Sequence, residues 1–227
     1  MNLDEKFKNF VLSRKSNESI DALPNSHFKG QKADYLLDER TIIAEVKYLT
    51  EDRGVTLNDR LNEKANSDPT FPQFFGSVPV EEIINKHKDS DNFRRWVCDY
   101  TARTLDQIIR NANHQIRDTK EALGLSNSMG LLVLLNEGVQ LYDEDFVYQE
   151  VSRILHKQRN GIFERNFVEA VWFINEYRAL EKKVSANFFI GPSVRNDHAS
   201  VILDMLAVDW AAHNGYALQG KGHRFII

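Results

Sequence analysis

Ala33-Asp34-Tyr35-Leu36-Leu37-Asp38-Glu39-Arg40-Thr41-Ile42-Ile43-Ala44-Glu45-Val46-Lys47-Tyr48-Leu49 is the stretch on which the reading of this chain turns. Two apolar runs flank Asp38-Glu39-Arg40, and the second is rich in β-branched residues, which together signal a β-hairpin. With Glu39-Arg40 as a two-residue turn, Asp38 pairs with Thr41. Each step back along one arm then meets a step forward along the other, and Asp34 falls opposite Glu45. Directly opposed residues of an antiparallel pair have Cβ atoms about 4.5–5.5 Å apart. Two carboxylates that close can share a hard cation at about 2.1 Å from each oxygen, and without one they repel. Lys47, two residues past Glu45, shares its face, whereas Ile42, Ala44, Val46 and Tyr48 point the other way and pack inward.

Outward from the hairpin, the chain alternates helix and strand. Leu3, Phe7, Phe10 and Val11 recur at helical spacing and predict an amphipathic helix over 3–14. Polar residues 16–31, with Pro24 and Gly30, predict a loop. Residues 50–92 hold Pro69, Pro72 and Pro79 with many charges, and read as an insertion. A long helix is expected over 93–123, with Leu105, Ile109, Ala112, Ile116, Thr119 and Leu123 as its buried stripe and Gly124 as its stop. Gly130-Leu131-Leu132-Val133-Leu134-Leu135 predicts a strand buried on both faces. A helix over 144–158, strands over 167–174 and 186–190, a helix over 199–213 and an edge strand over 223–227 complete the pattern. The expected class is α/β, a single domain over 1–227 with one insertion, in which helices cover a mixed sheet.

Composition narrows the classes. A chain of 227 residues with 42% hydrophobic content buries a real core. No run of about 18 apolar residues is present, so no membrane span is expected, and the charged start Met1-Asn2-Leu3-Asp4-Glu5-Lys6 does not resemble a signal peptide. The single cysteine, Cys98, excludes an intrachain disulfide and a cysteine zinc site. A reducing, cytoplasmic setting is the expectation. A net charge of −4 is unlike a dedicated DNA-coating protein, although phosphate contacts need only a local positive surface.

Asp34, ten intervening residues and then Glu45-Val46-Lys47 resemble the PD-(D/E)xK nuclease superfamily. The resemblance spans the first helix, the hairpin, the long helix and the strand after it, somewhat more than half the chain. Ala33 stands in place of the family's proline, a change the family tolerates. The resemblance implies a restriction-endonuclease-like α/β/α core. It implies that Asp34, Glu45 and the Val46 main-chain carbonyl hold Mg²⁺, with Mn²⁺ as a substitute, and that Lys47 orients or activates the attacking water. In many members the helix after the ExK strand offers a glutamine or lysine; Gln115, one position off the stripe, is the candidate here, ahead of Lys120. Some members add an acid from the first helix, for which Asp4, Glu5 and Glu18 are available, Glu5 first.

The implied function is metal-dependent hydrolysis of nucleic acid, DNA by the family's habit, in a restriction or defence setting, with room for a homodimer and no membrane partner. The alternative is the same fold holding nucleic acid or a protein without cleavage. Other signals carry less. The aromatic stretch Thr70-Phe71-Pro72-Gln73-Phe74-Phe75-Gly76 reads first as a tucked-in loop and second as a base-stacking surface. Asp209 and His213, at i, i+4, read as a surface pair. Gly220-Lys221-Gly222 lacks the full phosphate-loop pattern.

Overall fold

In the computed structural model, the described residues are 1–24, 27–28, 30–49, 51–74, 76, 78–139, 141–176, 184–195, 198–217 and 223–225. Residues 75, 220–222 and 226–227, on which parts of the sequence reading fall, lie outside them.

The first helix, α1 (Leu3–Ser13), starts at a capping box in which Asn2 and Glu5 satisfy each other's backbone N–H groups. Its stripe Leu3, Phe7, Phe10 and Val11 is buried. After β1 (Glu18–Ser19) and a 3-10 turn (Ile20–Ala22) comes the hairpin of β2 (Tyr35–Leu37) and β3 (Ile42–Leu49). Its register pairs Tyr35 with Ala44, Leu36 with Ile43 and Leu37 with Ile42, the arithmetic expected across the Glu39-Arg40 turn.

The segment read as an insertion is helical: α2 (Glu51–Ser67) and α3 (Val80–Lys86) precede α4 (Ser90–Leu123). The long helix therefore begins three residues before the expected 93, at the N-cap Asp89. It ends at Gly124, whose φ of 67° is the left-handed C-cap geometry that glycine adopts without a Cβ penalty. Leu57, Leu61, Ile83 and Ile84 close with Phe93 and Val97 into a separate apolar cluster, against which Phe71 and Phe74 pack. This is the tucked-in arrangement of the aromatic stretch, and it makes the first two turns of α4 part of the insertion's core.

The sheet order is β1-β2-β3-β4-β7-β8-β9, with β4 (Met129–Asn136), β7 (Ala170–Asn175), β8 (Ser185–Ile190) and β9 (His223–Phe225). Strands β3, β4 and β7 run parallel; the flanking pairs β2–β3 and β7–β8 are antiparallel. The fold is α/β with a mixed sheet. Period-2 alternation assigns the faces. Ile43, Leu132, Leu134, Val171 and Phe173 face the stripe of α4 and the helix α5 (Glu144–Leu155). Ile42, Ala44, Leu131, Val133 and Trp172 face α1 and α6 (Ala199–Asn214). Burial on both faces is why β4 reads as one unbroken apolar run.

The helix expected over 144–158 stops at Leu155. Gln158–Arg159 (β5) and Ile162–Phe163 (β6) form a small hairpin instead. Asn160 and Gly161 take φ of 55° and 77°, and an Asn-Gly pair favours the tight hairpin turn. Asp209 is paired with Arg14 of α1, and His213 lies edge-on to Phe10, so these two residues tie α6 to α1. No described helix is long and apolar enough to cross a membrane.

Candidate metal centre and cavity

The site is built where β2 is too short. Strand β3 runs for eight residues, whereas β2 has three and leaves the far half of that edge uncovered. Just before β2, Asp34 is held at its backbone from both sides: its N–H donates to the Ala44 carbonyl at 3.1 Å, and its own carbonyl accepts from Ile20 at 2.9 Å. Its carboxylate then takes the place of the missing strand, accepting the Val46 N–H at 2.7 Å. In an extended strand a residue's N–H and C=O face the same edge, so the Val46 carbonyl turns to that edge too.

Glu45 lies on the α4 face of β3, beside Leu132 in the register, and is fully buried. Among the described residues, neither of its oxygens has a hydrogen-bond partner. Its polar contact is an ion pair in which Lys47 Nζ closes onto Oε1. Burial, reinforced by the Asp34 charge and opposed by Lys47, pushes the Glu45 carboxyl up to about 8. Burial also raises Asp34, against the opposing pull of the Val46 N–H and the Lys47 charge. The arrangement is costly without a counter-ion, since a buried carboxylate needs donors or a cation.

Those observations test the fit of a divalent cation. Two neighbouring carboxylates, one of them fully buried with a lysine on one oxygen, and a carbonyl turned to the edge that Asp34 occupies form an all-oxygen set suited to a hard ion. Among the described residues no group of three or more His, Cys, Asp or Glu side chains forms a metal cluster. The remaining positions of a coordination sphere at Asp34 and Glu45 would therefore fall to the Val46 carbonyl, water or substrate.

Lys47 is also where the acid pair meets a cavity of about 620 Å³, lined with it by Phe28, Gly30, Gln31, Lys32, Asn111 and Gln115. Gln115 is thus part of the cavity wall. Its carboxamide donates to the Lys32 carbonyl at 3.1 Å, and the hydroxyl of Thr119, one turn on, accepts the Ala33 N–H at 2.8 Å. Helix α4 grips the two residues before Asp34, and in this geometry Gln115 positions that approach. Gly30 continues the contact: a Cβ there would stand 2.5 Å from Asp118 Oδ2.

The candidates for a further acid each have other partners. Glu5 caps α1, Glu18 is paired with Arg40 at 2.9 Å, and Asp4 exerts its charge on Tyr35 and Tyr48. The acid whose charge acts on Asp34 is Asp21, in the 3-10 turn and ion-paired to Lys32 at 2.8 Å. It lies in a polar loop with no periodic pattern, and only the Ile20–Asp34 backbone bond brings it near. Lys120 is excluded from the site by a buried ion pair with Glu169 at 3.1 Å.

Comparison with protein-family models, with curated proteins and with solved structures gives no match.

Proposed function

We propose that this chain is a metal-dependent phosphodiesterase acting on nucleic acid, DNA first, on a restriction-endonuclease-like core. One observation carries the reading: the Asp34 carboxylate, bonded to the Val46 N–H, and the buried Glu45 carboxyl meet on β3, with Lys47 joining them to a cavity. Asp34, Glu45 and the Val46 carbonyl would hold Mg²⁺ or Mn²⁺. The ion, when bound, supplies Lewis-acid stabilisation of charge developing on the phosphoryl oxygens. Lys47, an ammonium with three donors and no acceptor, cannot ligate the cation; it orients the attacking water or a phosphate oxygen. Gln115 and Thr119 hold the chain that carries Asp34, fixing the geometry on which an in-line attack depends.

The test is a cleavage assay on supercoiled, linear and single-stranded DNA and on RNA, with Mg²⁺ and Mn²⁺. Lys47→Ala is expected to lose about 10²–10⁴-fold in rate while keeping most Mn²⁺ binding by calorimetry. Glu45→Ala is expected to lose both. Cleavage by Lys47→Ala at the parental rate would overturn the reading, and absence of cleavage of every substrate would leave the cavity a binding site on the same fold.

A further inference from the structure

We infer that the cavity beside the acid pair takes an unpaired polynucleotide strand in preference to a duplex, with Lys32 and Lys47 on its phosphates and the Gln31 and Asn111 carboxamides on the base next to the scissile bond. This rests on the reading that Asp34 and Glu45 are the hydrolytic centre.

The first argument is access. Glu45 has no exposed surface, and of the Asp34, Glu45 and Lys47 group only Lys47 reaches the cavity wall. A phosphate brought to that pair must pass Lys47, between Phe28, Gly30, Gln31 and Lys32 on one side and Asn111 and Gln115 of α4 on the other. The space is an open cleft, and its volume of about 620 Å³ falls in the range of small-molecule sites, about 300–1,000 Å³, which suits one or two nucleotides. A nucleotide that enters such a pocket from a duplex must first leave its stack, at a cost of a few kcal/mol that an unpaired strand does not meet.

The second argument is the chemistry of the walls. Among the described residues the lining holds two lysines, three carboxamides and a phenyl ring, and no carboxylate. Lys32 is fixed between the Asp21 carboxylate at 2.8 Å and the Phe28 ring, 5.7 Å from its centroid, so its charge is held at the wall. Carboxamides carry a donor and an acceptor side by side, the pattern that matches base edges. Gln115 is committed to the Lys32 carbonyl. Gln107 donates to Asn111 Oδ1 at 2.7 Å, which leaves the Asn111 amide nitrogen to donate. Gln31 is exposed at the mouth.

Fluorescence anisotropy of a labelled 12-mer, as single-stranded DNA, single-stranded RNA and blunt duplex DNA, in Ca²⁺, tests this. Either single strand is expected to bind at least about tenfold tighter than the duplex, the two arms telling which sugar is preferred. The double variant Gln31→Ala, Asn111→Ala, with parental melting temperature, is expected to lose most of that preference, as is Lys32→Ala. Equal or tighter duplex binding, no binding of any strand, or a preference untouched by the double variant would overturn the inference. Cleavage with Mn²⁺ is scored separately. Strand preference without cleavage keeps the inference and removes the hydrolytic reading; cleavage that favours duplex and is lost in Lys47→Ala does the reverse.

Discussion

Glu45 concentrates the conflict between stability and function in this molecule. Its carboxyl is buried against the Lys47 ammonium, and burial with the neighbouring Asp34 raises it from 4.5 to about 8. For an acid raised in this way the folded state favours the protonated form. Its contribution is therefore full below the unfolded value, about 4.3, and is lost as pH rises through about 8. In the absence of divalent cation, the parent is expected to lose melting temperature between pH 5 and pH 8 relative to Glu45→Gln, which has nothing to ionise there. The difference should be on the order of 1 kcal/mol or more, about 2–4 °C per kcal/mol for a chain of this size. Added Mn²⁺ should narrow it for the parent alone. Parallel pH profiles of the two proteins, read by differential scanning calorimetry, would show that the carboxyl is not strained.

At the scale of elements, the hairpin turn and the start of β4 respond to substitution in opposite directions. Asp38, Glu39 and Arg40 have φ of 50°, 53° and 69°, a left-handed run that costs L residues roughly 1–2 kcal/mol each. Arg40 is retained by its paired contacts to Glu18 at 2.9 Å. Glu39→Gly is therefore the informative change: it relieves strain and adds chain entropy of roughly 0.5–1 kcal/mol to be lost on folding. The expected net is a gain of about 0.5–1 kcal/mol in urea unfolding, with the register and any Mn²⁺ affinity unchanged. Gly130 is the reverse case. A Cβ there would stand 1.8 Å from the Phe167 carbonyl oxygen, which is backbone and cannot swing away. Gly130→Ala is expected to cost about 3 kcal/mol, the upper end for an overpacked core, and a loss under about 0.5 kcal/mol would mean that this contact relaxes freely.

Across the whole molecule, three apolar clusters divide the chain unequally. Two of them sandwich the sheet; the third, between α2, α3 and the first turns of α4, is smaller, and Leu141 from the segment after β4 also packs against it. Local opening tracks how much apolar burial holds a segment. In native-state hydrogen exchange, amides of β4 and β7 are expected to be the slowest and those of α3 to exchange faster by two orders of magnitude or more. Equal protection throughout would make the insertion part of the main cooperative unit.

The amino-acid sequence by itself determined the hairpin register from Tyr35–Ala44 to Leu37–Ile42, the face that Glu45 shares with Lys47 and the identity of the main strands. Each of these follows from local periodicity: a period of two along a strand and a turn of known length leave one arrangement. It also held the Asn160-Gly161 hairpin, a signal overlooked because the preceding helical pattern was carried past Leu155. Only the tertiary structure decided the rest, including that Asp34 meets β3 through Ala44 and Val46, just outside β2. That Glu45 is fully buried depends on α4 covering its face of the sheet. That Asp21 and not Glu5 acts on Asp34 depends on a backbone bond between Ile20 and Asp34 across the loop. Gln115 reaches the Lys32 carbonyl beside the half of β3 that runs on past the start of β2 at Tyr35. Contacts between segments distant in sequence leave no periodic trace along the chain, so the walls of a site are settled by packing even when its floor is written in one strand.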